Sequence, residues 1–209
     1  MPTAPLSGRR AEAARNDERI LEAARTVFVA DPNAPIAAVA KEAGVGISAL
    51  YNRYGSKEEL LRVICMDGLQ RFIAVVEAAL ADDRDAWTVF AEFMERAIDA
   101  DTNSLTAALA GTFTPTPEMF AEGARANALM VELFDRTRKA GVVRPDLEVH
   151  DLSKIFEQLA AVRGATPERT RELRHRYLAL VLDAMHAPAT TPLPGPAPTW
   201  EEINARWAG

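Results

Sequence analysis

Apolar residues along this chain recur at helical spacing almost from end to end, and breakers divide them into segments. Ile20, Leu21, Ala24, Val27 and Phe28 form one stripe, preceded by Asn16-Asp17-Glu18, a cap followed by acids at the positive helix end. Pro32 stops that helix, and Pro35 suits the first turn of the next, which carries Ile36, Val39, Ala40 and Ala43. Gly44 allows a sharp exit, and Ile47, Leu50 and Tyr51 restart the period. Ser56 and Glu59 then read as a capping box opening a long helix, Lys57 to Leu80, roughly 36 Å at about 1.5 Å per residue. Further helical patterns cover 86–100, 104–110, 117–140, 149–162 and 167–185. No stretch keeps a period of two, so the fold class is all-α, a three-helix head followed by a helical bundle of five or six helices.

Both ends differ from this pattern. Residues 1–15 lack period and read as a disordered basic arm, with Arg9 and Arg10 able to reach phosphates or a minor groove. Residues 188–209 begin as a linker with five prolines and finish in Thr199-Trp-Glu-Glu-Ile-Asn-Ala-Arg-Trp207. Thr199 and Glu202 form a second capping box, and Trp200, Ile203 and Trp207 share one helical face. Two tryptophans are costly to leave in water, so this short helix is expected to dock. The division predicted is 1–15 arm, 16–62 head, 63–187 body, 188–209 tail.

Two short helices hinged at Gly44 outline a helix-turn-helix, whose second helix can enter a DNA major groove. Ala43-Gly44-Val45, Leu50-Tyr51, Tyr54 and Ser56-Lys57-Glu58-Glu59-Leu60 resemble the DNA-binding domain of TetR-type transcriptional regulators over about residues 16–65. The chain differs from the usual pattern at Gly46, at Ser48-Ala49, at Ala34-Pro35, where a phosphate-binding Ser or Thr is common, and at Arg53, where His is common. On the helix-turn-helix reading, Ile47 and Ser48 face base edges, with Ile47 suited to a thymine methyl. Gly46 lets the backbone approach, while Tyr51, Asn52, Arg53 and Lys57 supply phosphate donors, Asn52 being able to read a base as well and Lys57 acting from the first turn of the long helix.

Net charge is −6, which argues at first against nucleic acid. The balance is uneven, however: residues 1–57 sum to +2 and the remainder to −8, and at contact range screening makes the local field decisive. A single cysteine, Cys65, excludes an internal disulfide framework; together with the lack of a membrane-spanning run or a secretory signal, it places the chain in the cytoplasm. His150, His175 and His186 are scattered, and no metal-ligand spacing, phosphate loop or nucleophile elbow occurs. The chain is therefore expected to be no enzyme and to need no metal or cofactor.

The resemblance implies a repressor that binds a palindromic operator in double-stranded DNA as a homodimer and leaves it when a small-molecule effector fills the body. Dimerisation then falls to residues 149–163 and 167–185. Trp87, Phe90, Met94, Phe113, Phe120, Met130, Phe134, Phe156 and Leu159 are the pocket candidates, although the same spacing also describes simple core. Arg169, Arg171, Arg174, His175 and Arg176 give the last long helix a basic start, read as solvated charge or ion pairs across a dimer. The alternative reading is a helical protein–protein adaptor that binds no DNA.

Overall fold

The computed structural model describes the backbone of residues 5–188 and 191–207, and the side chains of 15–101, 104–105, 108–188 and 191–207. Among the described residues, ordered structure is α-helix, apart from one closing 3₁₀ turn (Ala205–Trp207) and an isolated bridge between Val143 and His186. The helices are α1 (Pro5–Ala30), α2 (Ile36–Ala43), α3 (Ile47–Tyr54), α4 (Lys57–Leu80) and α5 (Ala86–Asp99), then α6 (Thr102–Leu109), α7 (Pro117–Lys139), α8 (Val149–Ala161), α9 (Pro167–Met185) and α10 (Trp200–Asn204). The chain divides into two compact units, Met1–Ile64 and Cys65–Gly209, the division falling inside α4.

One boundary departs from the sequence expectation. Helix α1 begins at Pro5, not near Asn16, so most of the stretch expected to be a disordered arm is helical backbone. Ala11, Ala13 and Ala14 are strong helix formers and extend α1 backwards without any apolar stripe. The side chains of Arg9 and Arg10 lie outside the described residues.

In the first unit, Ile20, Ala24 and Phe28 of α1 close against Ile36, Val39, Ala40 and Ala43 of α2, with Leu50 and Tyr54 of α3 and Leu60, Leu61 and Ile64 of α4 completing the core. Gly44 takes the left-handed conformation (φ 67°) that ends α2, its N–H and that of Val45 returning to the carbonyls of Lys41 and Ala40. Arg19 donates to the Ala43 carbonyl at 2.7 Å, tying α1 to the same turn. Any side chain at position 44 would meet that guanidinium at 3.1 Å as well as the backbone strain.

The second unit packs α5, α7, α8, α9 and the later turns of α4 around one core. Phe72, Phe93 and Phe156 meet edge-to-face at 6.2–6.4 Å, and Phe90 joins Phe93 to Phe134. Helix termini are satisfied by side chains: Asp85, Thr116 and Thr166 cap α5, α7 and α9, a Glu148–Asp151 box opens α8, and Arg136 donates to the Ala79 and Leu80 carbonyls that end α4.

Arg174 on α9 is buried, at 6% exposure, and is neither a solvated charge nor a dimer contact. Its guanidinium donates to Asp101 Oδ1 at 2.6 Å, Ser104 Oγ at 3.0 Å and the carbonyls of Ala160 (2.9 Å) and Val162 (3.3 Å). Arg171, one turn earlier, and His175, the next residue, both engage Asp99 of α5 within the same chain. Arg174→Leu removes the donor from two carbonyls, a buried hydroxyl and the Asp101 carboxylate at once. It should lower stability by about 3 kcal/mol, read as an earlier midpoint in urea with unchanged slope.

Candidate DNA interface and effector pocket

Helix α3 separates its residues cleanly. Leu50 and Tyr54 are buried, and burial raises the Tyr54 phenol above its ordinary pKa. The opposite face is open: Ile47 (41% exposed) and Tyr51 (46%) are large apolar side chains left to solvent, and Ser48, Asn52 and Arg53 are exposed beside them. Gly46 stands at the N-cap with nothing within 4 Å of where a Cβ would sit. The six sequence-chosen residues from Gly46 to Arg53 are thus each exposed, on α3 or at its N-cap.

Two of the chosen cations carry internal partners that sequence reasoning missed. The Arg53 guanidinium forks onto the Asp17 carboxylate of α1 at 2.9 and 3.0 Å, which holds Asp17 below the usual carboxylate range. The Lys57 ammonium donates to the Pro32 carbonyl at 3.0 Å and lies 5.0 Å from the centroid of the Phe28 ring. An ammonium has three donors, so this tie and a phosphate contact are compatible.

In the second unit a cavity of about 370 Å³ opens among the helices, a size ordinary for a small-molecule site. Cys65, Gly68, Leu69 and Phe72 of α4 form one wall, and Met119, Phe120, Gly123, Ala126, Asn127 and Met130 of α7 another. Val149, His150, Ser153, Phe156 and Glu157 of α8 form a third. Trp200, Ile203, Asn204, Arg206 and Trp207 of the C-terminal segment complete it. The space exists because α7 presents small residues there; a Cβ on Gly123 would meet nothing. Burial pushes the Cys65 thiol up to about 12, leaving it protonated and a poor nucleophile.

Of the nine sequence-chosen pocket residues, Phe120, Met130 and Phe156 line the cavity. Phe90, Met94, Phe134 and Leu159 instead belong to the solid core, and Trp87 packs against it and against His186 at 4.4 Å. Phe113 meets Trp207 edge-on at 5.7 Å, behind the lining. Those on helices are apolar at helical spacing, but neighbouring side chains fill the volume they face.

Two family models match the chain. Residues 20–64 match that of bacterial regulatory proteins, tetR family, and residues 82–187 that of the transcriptional regulator SbtR-like C-terminal domain, which alone covers half of the sequence. The chain belongs to the TetR family. It is accordingly a transcriptional regulator with a helix-turn-helix DNA-binding domain, a family of regulators and not of enzymes.

Solved TetR structures share the fold. A TetR transcriptional regulator from Streptomyces coelicolor is 25% identical, with a TM-score of 0.57 over 82% of this chain and 99% of that one. The ketosteroid transcriptional regulator KstR2 of Mycobacterium tuberculosis (18% identity, TM-score 0.62, 82% and 95% covered) is similar in fold, as is the TetR-like LfrR of Mycobacterium smegmatis in complex with proflavine (21%, 0.62, 86% and 99%). No curated protein matches in sequence. Among the described residues of this TetR-family chain, no helix is long and apolar enough to cross a membrane.

The Asp17–Arg53 pair generates a test of the exposed surface on α3. Asp17→Asn releases the guanidinium and removes a negative charge next to it. Affinity for all duplexes should rise severalfold, with the salt dependence steeper by about one unit per head. Ile47→Ala should instead change the ranking of duplex sequences. If Ile47→Ala and Tyr51→Ala prove indistinguishable on specific and random DNA, that surface does not divide into base-reading and phosphate-holding groups.

Proposed function

We propose that the chain is a ligand-responsive repressor that binds a palindromic operator as a homodimer in the cytoplasm and leaves the DNA when a small molecule fills the body cavity. The observation carrying this reading is the cavity itself: a largely apolar space of about 370 Å³ beside the hydrophobic core. A protein that used the second unit only as a scaffold gains nothing from such a void, since unfilled space forfeits packing energy. The proflavine complex of LfrR shows that a protein of this fold takes up a small aromatic compound.

Gly46, Ile47, Ser48, Tyr51, Asn52, Arg53 and Lys57 form the DNA contact in this reading. Coupling follows from α4, whose first residue is Lys57 and whose later turn bears Phe72 on the cavity wall. An effector that favours one tilt of this helix biases the placement of the head, and only such differential binding can release DNA. Dimerisation is assigned to α8 and α9, residues 149–163 and 167–185. Tyr177 (45% exposed) and Leu180 (59%) support it, being large apolar side chains that α9 turns away from its own core.

Gly123→Leu extends a side chain into the cavity from a position where an added Cβ meets no atom within 4 Å, and it also improves helix propensity. It should abolish the operator response to an effector found by thermal-shift screening while leaving operator affinity without effector, and the melting temperature, intact. Leu180→Arg should convert the dimer to monomer in sedimentation and weaken operator binding through lost bivalency. A variant at Gly123 that still responds fully, or tight effectors that never alter operator affinity, would remove the sensor half of this reading and leave the DNA-binding half.

A further inference from the structure

The C-terminal segment is the least expected part of the cavity. Both family models stop short of it, the second ending at residue 187. The segment is nonetheless fastened at several points. Arg144 donates to the Thr191 carbonyl and Asp146 accepts from the Leu193 N–H at 2.8 Å, holding the strap. Further along, Arg206 pairs with Glu157 of α8, Trp200 stacks on the His150 ring (centroids 5.9 Å, planes 25° apart), and Trp207 stands edge-on to Phe113.

This docking is incomplete in an informative way. No residue of α10 or of the closing 3₁₀ turn is fully buried, and Trp200 and Trp207 both line open volume. A tail held only for stability would press its tryptophans into close-packed core, where they gain most. Here the two largest side chains available face a void and gain full contact only when the void is occupied.

The lining restricts what that occupant can be. Rings and thioethers (Phe72, Phe120, Phe156, Met119, Met130) dominate it. Its charged residues, Glu157 and Arg206, are paired with each other, and Glu157 is held by Lys154 as well (3.2 Å), so an ionised ligand would have to displace an existing partner. At one corner His150 Nε2 lies 3.1 Å from Asn127 Oδ1, with Ser153 beside it on the lining, enough for a single hydrogen-bonding group.

We propose that residues 200–207 are the lid of the effector cavity, that Trp200 and Trp207 contact the occupant directly, and that the occupant is an uncharged, ring-bearing, largely apolar molecule with one hydrogen-bonding group. This rests on the reading of the cavity as the effector site. The lid completes the site and does not compete with the ligand for it.

The test uses N-phenyl-1-naphthylamine, an uncharged fluorescent probe, and its sulfonated counterpart 1-anilinonaphthalene-8-sulfonate, on the full chain. Saturable binding of the neutral probe is expected, with the anionic one weaker by about tenfold. Trp200→Ala and Trp207→Ala should each weaken the neutral probe by about fivefold or more. In the unaltered protein, the neutral probe should slow tryptic cleavage after Arg206, followed by mass spectrometry; this arm stands even if a variant unfolds. Equal or tighter binding by the tryptophan variants, or cleavage unchanged or accelerated by the probe, overturns the lid. No saturable binding of the neutral probe, or equal binding of the anionic one, overturns the ligand class. Operator affinity is read separately: an effector that binds under an intact lid yet leaves operator affinity unchanged defeats the sensor reading alone.

Discussion

The guanidinium of Arg174 is the constraint on which the arrangement of the second unit depends. From α9 it reaches the turn after α5, the first turn of α6 and the carbonyls at the end of α8, and it donates to each of them. Asp101, one of its acceptors, stands at a positive φ of 49° in that turn, a conformation that needs outside support in a non-glycine residue. With the end of α8 held in this way, the cavity-facing row of α8 (His150, Ser153, Phe156, Glu157) keeps its direction. A charge buried against four acceptors is an expensive device, and its benefit is geometric: three chain segments are given one meeting point.

The head uses its positive charge differently from what a count of residues implies. Arg19 serves the Ala43 carbonyl, Arg53 the Asp17 carboxylate, Lys57 the Pro32 carbonyl, and Arg62 both Glu58 and Glu59. Three of the eight basic residues in 1–57 therefore also tie together the helices and turns around α3. The surface that α3 presents is mostly uncharged, which favours recognition through shape, methyl contact and hydroxyl or amide donors over bulk attraction.

The helices, their order and the hinge at Gly44 were legible because each depends on local signals: apolar period, caps, and a residue tolerant of positive φ. The exposed face of α3 was legible for the same reason, since a short amphipathic helix has only one face left once Leu50 and Tyr54 are inside. What escaped was everything set by a partner distant in sequence. Asp17 lies 36 positions from Arg53, and nothing local announces their pairing. Phe90 and Phe134 carry the same pattern as Phe156, yet only Phe156 borders the cavity; periodicity identifies the buried face but not whether the opposing helix fills the space. A usable signal did exist in the small residues Gly123, Ala124 and Ala126, whose cluster on α7 leaves volume opposite large side chains. The early start of α1 reflects alanine propensity acting without any apolar stripe.

The strap that carries the C-terminal helix has one more consequence. Pro194, Pro196 and Pro198 restrict the backbone between the anchor at Leu193 and the cap at Thr199. A short, stiff tether of this kind keeps the detached helix within a small volume, so its effective concentration at the cavity mouth is high and little chain entropy is lost on re-docking. Residues 200–207 can therefore be held by modest contacts and still spend most of their time in place, closing quickly after each opening.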